Sequence, residues 1–409
     1  MELNYNFIKQ IARNYGDAFY LFDKNLFINN FNDLLSEFRK YYKKTEIAYS
    51  YKTNYLPAIC KIVDDLGGYA EIVSDMELDV AKKSGVRYDK IIFNGPFKKK
   101  QAVEDVLLNG GLVVIDNLEE FEFIINFAER NINCIFNISL RCNFDVNDSV
   151  VSRFGFDVEN NQFVDVINII KKHKNIKLKG LQCHYANRDA SVWKFKVSGM
   201  LNLLNKHKMI PEYVDVGGGL YGYMPDDLKK QFTFDIPNFS DYAGIIAKEF
   251  SLAFSGLEEN KKPTLFIEPG TALVGNVLKF VSVVENIKNV RGKSIATLLG
   301  SIYNINPTLN KKNPPIQVYR DTCVKTEKYE DLDFGGFTCI ESDYLFKGYN
   351  GELASGDFVV FDNVGSYSIV LKPPFILPNF AVLEVGENNG VRVVKQRETF
   401  DDVFKTYIF

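Results

Sequence analysis

The feature that most constrains the fold of this chain is an alternation of short apolar runs with amphipathic segments between residues 46 and 268. The runs are rich in β-branched residues, as buried parallel strands are, and the segments between them repeat apolar residues every three or four positions, as helices do. Eight such units in about 220 residues predict a (β/α)8 barrel, which usually takes roughly 250 residues. A doubly wound open sheet is the alternative that the alternation also allows. The eight predicted strands are Ile47–Tyr51, Tyr69–Val73, Lys90–Phe93, Leu112–Ile115, Cys134–Leu140, Leu178–Cys183, Tyr213–Val216 and Thr264–Ile267.

Beyond residue 275 the pattern changes to strand-like runs separated by turn-rich segments, which predicts a second, β-rich domain of the β-barrel or Greek-key type. The Phe19–Phe22 run precedes the barrel without a helical partner, and we expect it to join this second domain. The expected division is therefore a barrel over residues 30–273 and a β domain formed by residues 1–29 plus 274–409. The predicted strands of the β domain are Val277–Val284, Ile295–Ile302, Ile316–Tyr319, Asp357–Phe361 and Val391–Val394.

Composition and charge narrow the range of functions. The 409 residues include 49 basic and 52 acidic ones, a formal net charge of −3, and no dense basic stripe that would favour nucleic acid. No apolar run approaches the roughly 20 residues that cross a bilayer, and Met1–Asn14 lacks the pattern of a secretory signal. The six cysteines show no CxxC spacing and the three histidines no metal-ligand spacing. We expect a cytoplasmic enzyme with reduced thiols, a small-molecule substrate and no metal.

The residues that follow the predicted strands are unusually rich in chemistry. In a (β/α)8 barrel the carboxyl ends of the strands meet at the active site. A partly desolvated lysine at this mouth can lose its proton and attack an aldehyde to form a Schiff base. An isolated lysine after a strand is more often solvated. The Schiff-base role is predicted only because charged and polar residues follow the other strands as well and should meet at the same mouth. The strand-end residues are Lys52, Glu71, Asn94, Asp116, Arg141, His184, Gly217–Gly219 and Glu268.

The glycines after the seventh strand indicate an anion-binding turn. Three successive glycines, Gly217–Gly219, allow backbone N–H groups to surround an anion, and barrels often bind phosphate after strands seven and eight. The Glu268–Gly270 segment adds a carboxylate that can keep a pyridine nitrogen protonated. His184 can stack on an aromatic ring, although a lone histidine is more often a core residue. Together with Lys52, these features describe a pyridoxal phosphate site.

At this point the chain resembles the fold-type III pyridoxal phosphate-dependent decarboxylases, the family of diaminopimelate, ornithine and arginine decarboxylases, to which alanine racemase is more distantly related. The resemblance covers about residues 17–385, and the order and spacing of its motifs are specific. It implies an alanine racemase-like barrel, a pyridoxal phosphate cofactor and α-decarboxylation of an amino acid. The motifs are Tyr49–Asn54, Glu71–Ser74 with Glu77, Ser152–Gly155, Gly180–His184, Asp215–Gly219, Glu268–Gly270, Cys339 with Asp343, and Val364–Tyr367.

The resemblance also implies a role for each matching residue. Lys52 corresponds to the lysine that carries the cofactor, His184 to the residue stacked on its ring, and Glu268 to the partner of its nitrogen. Cys339 corresponds to the proton donor to Cα, and Asp343 to the residue that contacts the distal amine of the substrate. Since Cys339 and Asp343 match residues that reach the neighbouring subunit's site, a homodimer with shared sites is implied. Further implied cofactor contacts are Glu71, Arg141, Gly217, Gly218, Gly219, Gly270 and Tyr367, and the implied substrate contacts are Asp343, Glu341 and Tyr367.

The departures from the family pattern bear on the substrate. Thr271 stands where the family often has an arginine, and Asn306-Pro307 stands where members acting on diaminopimelate usually have another. Because bidentate arginine–carboxylate pairing is hard to replace, the loss of two cations predicts a substrate other than ordinary meso-diaminopimelate. Arg188 and Lys194 are alternative sources of the charge.

The departures extend to the position after the stacking histidine, where Asn187 replaces a phosphate-binding serine of the family. Such differences are typical of offshoots in siderophore or antibiotic pathways. Two other functions are weighed beside decarboxylation. A racemase is disfavoured because Lys52 is followed by Thr-Asn-Tyr instead of the pattern of the alanine enzymes, and an inactive regulator is disfavoured because the lysine, the cysteine and the glycine turn are all retained.

Overall fold

A computed structural model describes residues 1–306, 312–386 and 390–409. It divides into two compact units, one of residues 30–222 and 237–272, the other of residues 1–29, 223–236 and 273–409. Within the described residues, no helix is both long enough and apolar enough to span a membrane. The strands are β1 (Ala18–Phe22), β2 (Thr45–Ser50), β3 (Tyr69–Ile72), β4 (Ile91–Phe93), β5 (Leu112–Ile115), β6 (Phe136–Asn143), β7 (Phe156–Asp157), β8 (Ile176–Gln182), β9 (Tyr213–Asp215), β10 (Thr264–Ile267), β11 (Leu278–Val290), β12 (Lys293–Leu298), β13 (Ile316–Tyr319), β14 (Glu327–Gly335), β15 (Tyr344–Leu353), β16 (Phe358–Phe361), β17 (Ala381–Val385) and β18 (Val391–Lys395). The helices are α1 (Tyr5–Tyr15), α2 (Lys24–Arg39), α3 (Pro57–Asp65), α4 (Asp75–Lys83), α5 (Lys100–Leu108), α6 (Leu118–Arg130), α7 (Asn161–Ile170), α8 (Ala190–Lys206), α9 (Asp226–Lys229), α10 (Phe239–Ile245), α11 (Ala247–Ala253), α12 (Thr271–Val274), α13 (Ile302–Ile305) and α14 (Phe400–Phe404), and short 3-10 turns cover Tyr51–Thr53, Tyr88–Lys90 and Glu259–Lys261.

The first unit is a closed barrel of eight parallel strands. They follow one another in the order β2, β3, β4, β5, β6, β8, β9, β10, and β10 pairs with β2 to close the ring. All eight predicted strands are present, and their ends differ from the prediction by no more than three residues. The prediction of a (β/α)8 barrel is therefore confirmed, and the open sheet is wrong.

The interior of the barrel is filled by side chains. Ala48, Ile92, Val114, Tyr213 and Phe266 come from five different strands and form one buried cluster, none of them more than 6% exposed. Inward-pointing residues of alternate strands fill such barrels in layers, which makes the interior a packed core and not a pore. Space for a ligand therefore lies beyond the carboxyl ends of the strands.

Capping side chains set where helices begin after the strands. Ser74 accepts a hydrogen bond from the N–H of Glu77 at the start of α4, and Asn117 accepts one from the N–H of Glu120 at the start of α6. Each cap satisfies a donor that the first helical turn leaves unpaired. The chain therefore turns sharply after β3 and β5, and the last residues of these strands stay at the mouth.

The second unit is built on a mixed nine-stranded sheet. Its main path runs β15, β14, β12, β11, β1, β17, β18, with β16 paired to β11 and β13 to β16. Strand β1 lies between antiparallel β11 and parallel β17, and all five of its residues are buried. The N-terminal Phe19–Phe22 run is thus a central strand of this sheet.

Three strands of the sheet are not predicted from the sequence, namely β14, β15 and β17. Strands β14 and β15 contain many exposed charged and polar residues. These residues hide the alternation of apolar and polar positions that would mark a strand. The predicted Ile295–Ile302 strand is too long. It ends at Leu298, and Ser301 instead caps the short helix α13 by accepting a hydrogen bond from the N–H of Tyr303.

Candidate active site

The amine of Lys52 lies against a buried carboxylate at the end of the neighbouring strand. Lys52 stands in the 3-10 turn directly after β2, and its Nζ donates to Oε2 of Glu71 at 2.5 Å. The hydroxyl of Ser50 donates to the same oxygen at 2.6 Å. The Lys52 side chain is 34% exposed whereas Glu71 is fully buried, so the amine borders open space and the carboxylate holds it from behind.

In the Lys52–Glu71 pair, the charge of each residue shifts the pKa of the other. Burial opposes the charge of Lys52, but the carboxylates of Glu71 and Glu268 outweigh it and raise the pKa of the lysine. Burial likewise opposes the charge of Glu71, and the Lys52 ammonium together with hydrogen bonds brings the pKa of that carboxyl below its usual range. The pair is an ion pair in the absence of a ligand.

A second buried carboxylate, Glu268 after β10, is joined to the first by an amide. Nδ2 of Asn94 donates to Glu71 Oε1 at 3.0 Å and to Glu268 Oε1 at 2.5 Å. Nε2 of Gln182 donates to the same Glu268 oxygen at 3.2 Å. Burial, followed by the charge of Glu71, raises the pKa of Glu268 to about 7. A cationic partner is therefore needed to keep Glu268 ionised at neutral pH.

His184, after β8, lies between the glycine turn and Glu268 as a neutral imidazole. The N–H of Gly218 donates to its Nδ1 at 2.9 Å, so Nδ1 carries a lone pair and the proton is on Nε2. Burial and then the positive charge of Lys52 hold the pKa of His184 well below its usual range. The 3.9 Å approach of Nδ1 to Glu268 is consequently not an ion pair.

The three glycines after β9 form a tight turn that larger residues could not adopt. Gly217 and Gly219 have φ of +72° and +93°, in the left-handed region that favours glycine. A Cβ on Gly218 would overlap the carbonyl of Glu268. The N–H of Gly217 is used by Oδ1 of Asp215 at 2.8 Å, and that of Gly218 by the imidazole. The N–H of Gly219, in contrast, meets no acceptor within the described part of the chain.

The segment after Glu268 packs against the lysine turn. A Cβ on Gly270 would overlap the hydroxyl of Thr53, the residue after Lys52. At the next position, Thr271 accepts a hydrogen bond from Nη2 of Arg188 at 3.2 Å. Arg188, half-buried, also lies over the ring of Tyr221 at 5.2 Å. A guanidinium from the loop after β8 therefore reaches the position where the family often has an arginine.

The other departures from the family pattern lie apart from this contact. Oδ1 of Asn187 accepts a hydrogen bond from the N–H of Asp189 at 3.0 Å and so shapes the loop before α8. Lys194 is exposed on α8. Of the Asn306-Pro307 position, Pro307 lies outside the described residues.

Arg141, at the end of β6, is buried and already engaged. Its Nη1 lies 3.5 Å from Oδ1 of Asp116, its Nη2 donates to the carbonyl of His184 at 3.5 Å, and its guanidinium is 4.6 Å from the centre of the Phe154 ring. This arrangement ties the loop that carries His184 to the neighbouring strand ends. Arg141 thus supports the mouth as one of its walls.

The remaining predicted site residues belong to the β-rich unit. Cys339 and Glu341 are exposed in the loop between β14 and β15. Tyr367 has φ of +62°, a backbone conformation that costs a non-glycine residue roughly 1 kcal/mol or more and is often found at functional sites.

Asp343, in contrast, is buried and its carboxylate is used inside this unit. Oδ1 accepts hydrogen bonds from the hydroxyl of Ser301 at 3.0 Å and the N–H of Ile302 at 2.7 Å, and Oδ2 accepts one from the hydroxyl of Thr338 at 2.6 Å. These bonds fasten the loop that carries Cys339 to the start of α13. The side chain has a structural task that the sequence does not predict.

The mouth of the barrel has the groups that pyridoxal phosphate needs. An amine lies at one side, and a buried carboxylate in need of a cationic partner lies beside it. The glycine turn forms a cradle that a Cβ would fill. Two buried amide oxygens beside the carboxylates, Oδ1 of Asn94 and Oε1 of Gln182, have no hydrogen-bond partner within the described residues. The residues present therefore fit the cofactor.

Comparison with known proteins identifies the class. The family model described as "Pyridoxal-dependent decarboxylase, pyridoxal binding domain" matches residues 28–275, which is more than half of the chain and includes the whole barrel. The chain belongs to the pyridoxal-dependent decarboxylases. It is a pyridoxal phosphate-dependent carboxy-lyase acting on an amino acid, and the cofactor prediction is confirmed.

Its relatives align over nearly their whole length. Diaminopimelate decarboxylases of Aquifex aeolicus and Methanocaldococcus jannaschii are 24% and 26% identical to it, over 96% of this chain and 92% of each relative. A crystal structure of the diaminopimelate decarboxylase from "m. jannaschi" has a TM-score of 0.86 and covers 98% of this chain and 94% of its own. Lysine decarboxylase from Selenomonas ruminantium, 18% identical over 95% of this chain and 97% of its own, has a TM-score of 0.75.

Two members of the network at the mouth, Ser50 and Gln182, are not predicted from the sequence. Ser50 precedes Lys52 and Gln182 precedes His184, so each resembles an ordinary residue of its strand. Asn94 stands among the strand-end residues, but its position between two carboxylates has no signal in the sequence. The signal that could have found Ser50 and Gln182 is their place within the Tyr49–Asn54 and Gly180–His184 motifs.

Proposed function

We propose that this enzyme removes the α-carboxylate of an amino acid or amino-acid derivative of the diaminopimelate, ornithine or lysine class and releases carbon dioxide and an amine. The observation that carries the proposal is the linked arrangement of Lys52, Glu71 and Glu268 through Asn94. In this arrangement the carboxylate of Glu71 holds the Lys52 amine in place, and the neighbouring carboxylate of Glu268 is suited to binding a cationic group. The relatives named diaminopimelate decarboxylase support the substrate class.

In this proposal three barrel residues hold the cofactor ring. Lys52 holds it through the amine, Glu268 accepts a hydrogen bond from its protonated nitrogen, and the neutral imidazole of His184 covers one face. The cationic nitrogen supplies the partner that Glu268 needs to stay ionised. When bound, pyridoxal phosphate accepts electron density from Cα as the carboxylate leaves. Glu71, as a carboxylate, accepts the hydrogen bond from Lys52 and keeps its amine in position.

We assign the phosphate to the glycine turn. The N–H of Gly219, which meets no acceptor within the described residues, is the donor that favours this assignment. Gly270 and Tyr367 are further phosphate contacts in the proposal, and the strained backbone of Tyr367 supports a functional role for it. Two N–H groups of the turn are used internally, so they fix the shape of the cradle more than they bind the anion.

We further propose a cytoplasmic homodimer in which the loop between β14 and β15 serves the partner's site. Cys339 then returns a proton to Cα, and Glu341 binds the distal amine of the substrate. The exposure of both residues supports this assignment. Asp343 positions the loop through its three hydrogen bonds, and in the proposal its carboxylate is a second contact of the distal amine.

The exclusion of ordinary meso-diaminopimelate stays a prediction, and the relatives do not support it. The prediction depends on Thr271, which stands where the family often has an arginine. The hydrogen bond from Arg188 to Thr271 brings a cation to that position and weakens the argument. We therefore include meso-diaminopimelate with lysine and ornithine among the substrates to be tested.

The experiment measures carbon dioxide release by purified enzyme from a panel of free, citryl and carrier-linked amino acids, with mass spectrometry of the products. We expect one substrate to lose the mass of carbon dioxide, and Lys52→Ala to abolish this loss. Lys61→Ala, which changes an exposed lysine of α3, is the matched control. Inversion of the amino acid without loss of mass would instead indicate a racemase.

The role of the cysteine is tested in the same assay. Cys339→Ser is expected to lower the rate of amine formation strongly, whereas Cys323→Ser, at another exposed cysteine of the same unit, leaves it unchanged. Equal activity of the two variants would contradict the role proposed for Cys339. Sedimentation of the purified enzyme as a monomer would contradict the shared site.

A further inference from the structure

Helix α8 contributes two fully buried side chains to the back of the glycine turn. Nε1 of Trp193 donates a hydrogen bond to the carbonyl of Gly219 at 3.0 Å. Lys196, one helical turn later, places its Nζ 4.1 Å from the centre of the Trp193 ring. Both side chains are 0% exposed. The two residues therefore form a layer between the helix and the turn.

The ammonium group of Lys196 is held by neutral acceptors only. Its Nζ donates to the carbonyls of Tyr185 at 2.9 Å and Asn187 at 2.6 Å. Within the described part of the chain, no carboxylate lies at ion-pair distance from it. Carbonyl groups and an aromatic face compensate a buried charge incompletely. Burial accordingly lowers the pKa of Lys196 to about 8.

The glycine turn lies beside this ammonium group, whereas the carboxylates of Asp148 and Asp189 act on it only from beyond ion-pair distance. A Cβ built on Gly219 would lie 3.4 Å from Nζ of Lys196, and 3.1 Å and 3.3 Å from the two carbonyls that hold it. The ammonium group thus lies directly behind the one residue of the turn whose N–H meets no acceptor within the described chain. A positive charge at this depth, screened little by water, acts strongly on an anion in the turn.

We propose that Lys196 is a positioning residue that stabilises a phosphate group at the Gly219 turn, through its charge and through the loop carbonyls that it holds. The inference depends on the proposed phosphate position and adds a residue to it. It differs from a purely structural role, which would support the turn whether or not the ligand carries an anion. The distinguishing observable is the preference for a phosphorylated ligand over the same ligand without phosphate.

The test measures binding of pyridoxal phosphate and of pyridoxal to full-length enzyme from which the cofactor has been removed, by fluorescence quenching. Wild-type enzyme is compared with Lys196→Gln, which keeps a hydrogen-bond donor but removes the charge, and with Lys196→Arg, which keeps the charge. Lys206→Met, at an exposed lysine of the same helix, is the control. Circular dichroism and thermal unfolding report whether each variant is folded.

We expect Lys196→Gln to weaken binding of pyridoxal phosphate about tenfold or more, the usual effect of losing an interaction with a charged group, and to change pyridoxal binding less than about threefold. Lys196→Arg should retain most of the preference, and Lys206→Met all of it. Equal weakening of both ligands, or a wild-type preference in folded Lys196→Gln, would overturn the role of Lys196. If Lys196→Gln does not fold, loss of the preference for pyridoxal phosphate over pyridoxal in folded Lys196→Arg, which keeps the charge, would overturn it too. A wild-type enzyme without any preference for pyridoxal phosphate would instead contradict the phosphate position itself.

Discussion

Asn94 offers the sharpest test of how the mouth of the barrel is organised. Its side-chain amide is 4% exposed and donates to two carboxylates, at 3.0 Å to Glu71 and at 2.5 Å to Glu268. Asn94→Asp keeps the shape of the side chain and removes both donated protons. At neutral pH it puts a third carboxylate within hydrogen-bond distance of two others, so we expect it to be more damaging than Asn94→Ala.

The magnitude follows from the pKa of the introduced carboxyl group. Burial and two neighbouring carboxylates typically raise such a pKa by about two to three units, and each unit corresponds to about 1.4 kcal/mol. The variant should therefore lose about 3–4 kcal/mol of unfolding free energy at neutral pH. The folded-state pKa is raised, so the introduced group keeps its proton in the folded protein at low pH. The loss must then grow as pH rises above the unfolded-state value of about 4.

The assay is urea unfolding of the cofactor-free chain, followed by circular dichroism at about pH 5 and about pH 7. Asn126→Asp, at an exposed asparagine of α6, is the matched control and should change the free energy of unfolding little at either pH. If Asn94→Asp were as stable as the wild type at neutral pH, the role of the Asn94 amide between the two carboxylates would be wrong. A loss of the same size at both pH values would refute the electrostatic part of it.

Three further predictions concern single positions. Gly218→Ala should leave the chain folded but weaken cofactor binding about tenfold or more, because a Cβ there displaces the carbonyl of Glu268; affinity measured by fluorescence equal to that of the wild type would contradict this. The imidazole of His184, whose pKa is lowered by burial and by Lys52, should stay neutral with its proton on Nε2 between about pH 6 and pH 8, and nitrogen NMR of the cofactor-free chain showing titration in that range would be inconsistent with it. Asp343→Ala removes the acceptor of three hydrogen bonds and should cost about 2–4 kcal/mol of unfolding free energy, whereas a change below about 0.5 kcal/mol in urea unfolding would show that this network is unimportant.

The barrel and its chemistry could be predicted from the sequence because both depend on local signals. Each parallel strand is a short apolar run, and the residue that ends it must lie at the mouth once the barrel closes. Lys52, Glu71 and Glu268 follow from this rule, and the structure places them in one hydrogen-bonded network. The glycine turn after β9 could be recognised because its backbone excludes side chains.

The parts that could not be predicted depend on contacts between distant segments. Strands β14 and β15 are stabilised by each other while most of their outward residues are polar, so no apolar period marks them. The three hydrogen bonds to Asp343 and the burial of Lys196 behind the turn arise only when loops and helices meet. Arg188 resembles a surface loop residue in the sequence, and its contact with Thr271 is likewise a product of the fold.

The most direct test of the central claim is to locate the cofactor on the chain. Enzyme loaded with pyridoxal phosphate is reduced with borohydride and digested, and the modified peptide is identified by mass spectrometry. We expect a single pyridoxyl group on Lys52, absent from Lys52→Ala. Modification of a different lysine, such as Lys196 or Lys98, or no modification at all, would contradict it.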